Sequence, residues 1–113
     1  MKVTIWHNPR CSKSRQTLQL LNDRGIEPEI VDYQKSQPDV GEISRVLALL
    51  SCKASEVIRK GEKIYKELNL ASASEDELLA AMASNPILIE RPIVEANGKA
   101  ALGRPPENVL TIL

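Results

Sequence analysis

This 113-residue sequence has one histidine, two cysteines and no surplus of charge of either sign. One histidine and two cysteines are too few donors for a four-ligand zinc site, so no metal is expected. Fifteen Lys and Arg balance fifteen Asp and Glu, and a net charge of zero argues against a nucleic-acid binder, which usually carries a basic excess. The longest apolar stretches, such as Leu78 to Ala83, fall far short of the ~20 residues that cross a membrane. A secretory signal is not expected either, because His7, Asn8 and Arg10 interrupt the apolar run Val3 to Trp6. Cys11 and Cys52, 41 positions apart, are then expected as free thiols in a reducing cytoplasm. What is present is ordinary globular composition, 42% hydrophobic and 27% charged. The length suits one compact domain over residues 1–113, which buries about two-thirds of its unfolded surface and needs neither metal nor disulfide to fold.

Hydrophobic patterning sets the order of elements. Lys2 to Trp6 reads as a short buried strand, since Val3, Ile5 and Trp6 favour extended backbone. From Cys11 the spacing of Ser14, Thr17, Leu18 and Leu21 is helical, and Gly25 is a natural stop. Glu29 to Tyr33 reads as a second strand, which completes a βαβ unit. Helices follow: one from Asp39, with Ile43, Val46, Leu47 and Leu50 as its apolar stripe, a second over Ala54 to Lys60, and a third over Lys63 to Leu68. A fourth opens on a Ser74/Glu77 capping box and ends at Asn85-Pro86. Asn97-Gly98 between two extended runs is a strong hairpin signal, and Pro105 suits the first turn of a terminal helix. Strand, helix, strand, a helical insert, then hairpin and helix is the thioredoxin plan: an α/β fold with a four-stranded mixed sheet and a helical insert between its second and third strands.

Chemistry concentrates in His7 to Arg15, where the first strand hands over to the first helix. Cys11 falls at that helix's N-terminus, where free N–H groups and the positive dipole end favour a thiolate. The same N–H groups suit an oxyanion beside the sulfur, and Arg10, Lys13 and Arg15 add positive potential. Ser14 stands where a redox Cys-x-x-Cys motif has its second cysteine; it can donate a hydrogen bond to a thiolate but cannot form a disulfide. His7 is placed to orient Cys11 or help ionise it. Further along, Arg59, Arg91 and Arg104 offer planar forks suited to a tetrahedral oxyanion. Arg91 precedes Pro92, where the thioredoxin plan puts a cis-proline beside the reactive cysteine. Cys52 reads as structural.

Together these residues resemble the glutaredoxin-coupled arsenate reductase family over almost the whole chain. The family's His-Asn-Pro-x-Cys-x-x-Ser-Arg runs from His7 to Arg15. Ile58-Arg59-Lys60 with Tyr65, Leu68 and Leu70, then Asn85 to Ile89, Arg91 to Val94 and Gly103-Arg104-Pro105 follow in the family's order. The resemblance implies that Cys11 attacks arsenate, that Arg59, Arg91 and Arg104 hold the oxyanion, and that His7 and Ser14 influence the thiolate. It also implies glutathione as co-substrate and glutaredoxin as electron donor, with no bound cofactor. A monomer that meets neither nucleic acid nor membrane is expected. Two other readings stay open. One is a regulator of the Spx type, against which Ser14 in place of a switch cysteine counts. The other is a glutathione-linked oxidoreductase acting on disulfides.

Overall fold

The computed structural model describes residues 2–113. Four strands, β1 (Val3–Trp6), β2 (Glu29–Val31), β3 (Ile93–Ala96) and β4 (Lys99–Leu102), form one mixed sheet in the order β2-β1-β3-β4. β1 runs parallel to β2, with Ile5 opposite Ile30, and antiparallel to β3, with Ile5 opposite Val94. β3 and β4 pair antiparallel around Asn97-Gly98, whose φ values of 55° and 72° are those of a tight hairpin turn. This is the thioredoxin-like arrangement expected from the pattern, with the helical insert between β2 and β3.

The chain divides into two units, one made of residues 2–36 with Arg91–Leu113 and the other of Gln37–Glu90. In the first unit, alternation along the strands puts Val3 and Ile5 on the same side of the sheet as Val94 and Ala96. Leu21, from helix α1 (Ser12–Asp23), and Val109 and Ile112, from a terminal 3-10 segment (Pro106–Ile112), complete that core. Helix α1 ends as Gly25 requires: at φ 76° its N–H reaches the Asn22 carbonyl, while Ile26 N–H reaches that of Leu21. On the opposite side of the sheet Trp6 stacks on Tyr33 at 6.2 Å between ring centroids and donates Nε1–H to Glu95 at 3.0 Å.

The second strand is shorter than the sequence suggests. After Val31 the Asp32 carbonyl accepts N–H groups from Lys35 and Ser36, and helix α2 (Tyr33–Ser36) starts there with Tyr33 fully buried. Burying that ring against Trp6 outweighs the β preference of a tyrosine at a strand end. The terminal helix is 3-10 rather than α.

The second unit holds helices α3 (Val40–Leu50), α4 (Ala54–Val57), α5 (Lys63–Glu67) and α6 (Glu75–Ser84). Asp39 caps α3 through Glu42 N–H at 2.8 Å, and the Ser74/Glu77 box at α6 is made in both directions. Helix α4 stops at Val57, three residues before the expected end, because Ile58 leaves it to form an antiparallel bridge with Ile89. Arg59 N–H then donates to Leu88 at 2.7 Å and Glu90 N–H to Val57 at 3.0 Å. Among the described residues, no helix is long and apolar enough to cross a membrane.

Candidate active site

Between β1 and α1 the chain makes a loop that its own side chains hold in place. Asn8 Oδ1 accepts the Arg10 N–H at 3.0 Å, an Asx turn, and the Asn8 carbonyl accepts the Cys11 N–H at 3.0 Å. Arg15 reaches back from α1 to donate to the Pro9 carbonyl at 2.9 Å. Cys11 emerges as the N-cap of α1, with φ −94° and ψ 124°. Its Sγ makes no short capping bond, so the N–H groups of the first turn act on it as dipoles.

Two guanidinium groups share this corner of the first unit. Arg104 Nη2 lies 3.7 Å from Cys11 Sγ, and its Nε–H donates to the Arg91 carbonyl at 2.9 Å, which aims the fork at the sulfur. Partial burial pushes the Cys11 thiol up, but the Ser14 N–H, the Arg91 side chain and the Lys13 N–H outweigh it, and the net shift is downward. The peptide bonds Arg91-Pro92 and Arg104-Pro105 are both cis. The first was expected from the plan of the fold; the second was not.

His7 and Ser14 form a buried pair beneath the loop. Ser14 Oγ lies 2.6 Å from His7 Nδ1 and accepts the Asn8 N–H at 3.0 Å. Its hydroxyl therefore braces the loop, while its backbone N–H is one of the groups that shift the Cys11 thiol down. Burial holds His7 below its ordinary value; Asp32 opposes this and Arg15 adds to it. Near neutral pH His7 is uncharged, so the positive field around Cys11 comes from arginine.

Arg59 belongs to the second unit. There its Nε–H donates to Glu62 at 3.0 Å and its Nη1–H to Glu90 at 2.6 Å. Neither acid was singled out from the sequence, although Glu62 lies at the i+3 spacing that lets charges meet. Cys52, also in the second unit, donates weakly to the Leu50 carbonyl at 3.5 Å, and burial and then Glu56 push its thiol up. Its shift is opposite in direction to that of Cys11. Among the described residues, no three His, Cys, Asp or Glu side chains gather as a metal site.

A residue whose importance the sequence conceals is Gly103, between β4 and Arg104. A Cβ there would lie 2.5 Å from Thr17 Oγ1 and 2.7 Å from Pro92 Cγ, so only glycine lets this segment pass between α1 and the Pro92 ring.

The ArsC family model matches residues 6–112. The protein YfgD of Escherichia coli K12 is 54% identical over 99% of this chain and 97% of its own length. An arsenate reductase of Neisseria meningitidis is 47% identical, covering 99% of this chain and 98% of that protein. The solved structure of an arsenate reductase from Vibrio cholerae superposes with a TM-score of 0.97 at 51% identity, covering 100% of this chain and 98% of that one.

Proposed function

Because the chain belongs to the ArsC family, we propose that it is an arsenate reductase whose single nucleophile is Cys11. The observation that carries this reading is the Arg104 fork 3.7 Å from a sulfur whose thiol is shifted down, with Arg91 beside it. A thiolate next to guanidinium groups is set up for an electrophile that arrives as an anion.

In this scheme the Cys11 thiolate attacks arsenic(V), and an arsenate oxygen leaves as water after taking up protons. Arg91, Arg104 and Arg59 neutralise the remaining oxygens, whose charge would otherwise be costly to desolvate. Glutathione then attacks the Cys11 sulfur; the S–As bond breaks and its electron pair stays on arsenic, which leaves as arsenite. Two thiols have been oxidised to a Cys11–glutathione disulfide and arsenic reduced by two electrons. Ser14 provides no thiol at the position where an internal one would resolve that disulfide, so glutaredoxin does so from outside. The scheme needs no bound cofactor or metal ion, and a cytoplasmic monomer suffices for it. His7 and Ser14 serve Cys11 by holding the loop and presenting the Ser14 N–H.

The test is arsenite production from arsenate with glutathione and glutaredoxin, run beside Cys11→Ser. Arsenite no higher than in that variant sinks the reading, and reduction of a glutathione mixed disulfide without arsenate turnover would favour the disulfide oxidoreductase instead. Arg91→Lys and Arg104→Lys keep the charge but lose the fork, and each should cost about 2–4 kcal/mol of transition-state stabilisation. Arg24→Lys, at the exposed end of α1, is the neutral control.

A further inference from the structure

Arg104 is anchored on both sides of its Cα, and on one side by a residue outside the site described so far. Gly103 N–H donates to the Pro92 carbonyl at 2.9 Å, which fixes the chain on entry. Arg104 Nε–H donates to the Arg91 carbonyl at 2.9 Å, which orients the fork. On the exit side Pro105 and Pro106 carry no N–H, so neither can donate back to the Arg104 carbonyl. The Asn108 side chain does so, with Nδ2–H donating to that carbonyl at 2.9 Å. Asn108 is itself held: its N–H goes to the Pro105 carbonyl at 3.0 Å, and its carbonyl accepts the Thr111 hydroxyl at 2.9 Å. All of these residues lie in the first unit, together with Cys11, whose Sγ is 3.7 Å from Arg104 Nη2.

Resting on the arsenate-reductase reading, we propose that Asn108 is a positioning residue for that reaction: its carboxamide clamps the Arg104 carbonyl and so keeps Nη2 on the anion that approaches Cys11. The reason is geometric. The Arg104 side chain leaves its Cα in a direction set by the peptide units before and after it. The Gly103 bond fixes the first unit and the Asn108 bond the second. Without Asn108 the second unit is free to tilt, and the Nε–H bond to Arg91 must hold a long side chain alone. Asn108 and Arg104 are both exposed, so water replaces the lost hydrogen bond and the fold loses little. Water satisfies the carbonyl but does not fix its direction, so the loss falls on aim and not on stability.

The aim of the fork can be read without arsenate. Iodoacetate and iodoacetamide both alkylate the Cys11 thiolate, so the thiolate fraction cancels in the ratio of their rates. The ratio then reports how well positive charge faces an arriving anion. It is measured on the full chain by mass mapping of Cys11, beside steady-state kinetics with arsenate and a melting temperature. The variants are Asn108→Ala, Arg104→Ala, the double variant Arg104→Ala/Asn108→Ala, and Asn97→Gly. Asn97 is the control, because its Nδ2–H donates to the Ile112 carbonyl at 2.9 Å and ties down the far end of the same 3-10 segment. Glycine accepts its φ of 55°. Asn108→Ala should lower the iodoacetate-to-iodoacetamide ratio about threefold and kcat/KM for arsenate about fivefold, the size of one hydrogen bond. Its melting temperature should move by less than about 4 °C. Arg104→Ala should lower the ratio at least as far. With Arg104 already removed, Asn108→Ala should change either quantity by less than about twofold, because nothing is left to position. Asn97→Gly should leave the ratio unchanged.

An Asn108→Ala ratio equal to that of the parent protein overturns the inference and leaves the arsenate-reductase reading intact. So does an Asn108→Ala effect that persists undiminished without Arg104, or an Asn97→Gly ratio lowered as far as that of Asn108→Ala, which would mark a general loosening of the segment. If the parent protein produces no arsenite, the arsenate-reductase reading fails and the role of Asn108 in that reaction falls with it. The alkylation ratio decides in that case, too, whether Asn108 aims Arg104 at an anion beside Cys11.

Discussion

Replacing Ser14 by alanine separates two things this residue does. The side chain is fully buried, and its hydroxyl serves both His7 Nδ1 at 2.6 Å and the Asn8 N–H at 3.0 Å. Alanine leaves the volume nearly unchanged, so almost the whole cost is that of two stranded polar groups. Each is worth about 1–3 kcal/mol when it loses its partner in a buried setting. His7 and Asn8 are each 7% exposed, enough for slight solvation. That favours the lower half of the range, so the expected loss is about 2–4 kcal/mol for the pair. With about 4 °C per kcal/mol for a chain of this length, the melting temperature should drop by about 8–16 °C. The Cys11 thiol should nevertheless stay below its ordinary value, since the Ser14 backbone N–H survives the substitution. Urea unfolding of the reduced protein measures the first quantity, and the pH dependence of iodoacetamide labelling at Cys11 measures the second. A stability loss under about 0.5 kcal/mol would mean that the hydroxyl holds nothing in place. A Cys11 pKa raised by about a full unit would mean that the hydroxyl, and not the backbone, acts on the thiolate. Either result refutes the reasoning.

Three further outcomes follow from the same geometry. Below about pH 8, iodoacetamide should label Cys11 well ahead of Cys52, since the first thiol is shifted down and the second up; mass mapping that finds Cys52 labelled first would contradict this. His7 is held below its usual 6.5 in the folded state, so the unfolded chain takes up the proton first. Its contribution to stability is complete above about pH 6.5 and is lost as pH falls through the lower folded value. Urea midpoints should decline over that window, and His7→Gln should flatten the decline. Gly103→Ala forces Thr17 and the Pro92 ring apart, which should cost about 1–3 kcal/mol in a denaturation series. An unchanged midpoint there would mean that the segment shifts freely.

Local chemistry by itself determined a good deal. The alternation of Val3 and Ile5, the Gly25 stop, the Ser74/Glu77 box and the Asn97-Gly98 turn act over a few residues, and all appear where the sequence puts them. The place of Cys11 at the head of α1 is legible for the same reason: a helix start is a local event, and the dipole it brings comes with it. Long-range contacts decided the rest. Tyr33 leaves the strand because a ring can stack on Trp6, and Ile58 leaves its helix because Ile89 offers a bridge; neither partner is within reach along the chain. The arginines could be named from their residue type, but their aim could not. Arg104 is turned toward Cys11 by a carbonyl 13 positions earlier in the chain, and Arg59 is gripped by Glu90, 31 positions later. A side chain's direction is set by the acceptors that folding brings to it, and those acceptors lie too far away in sequence for any local pattern to reveal them.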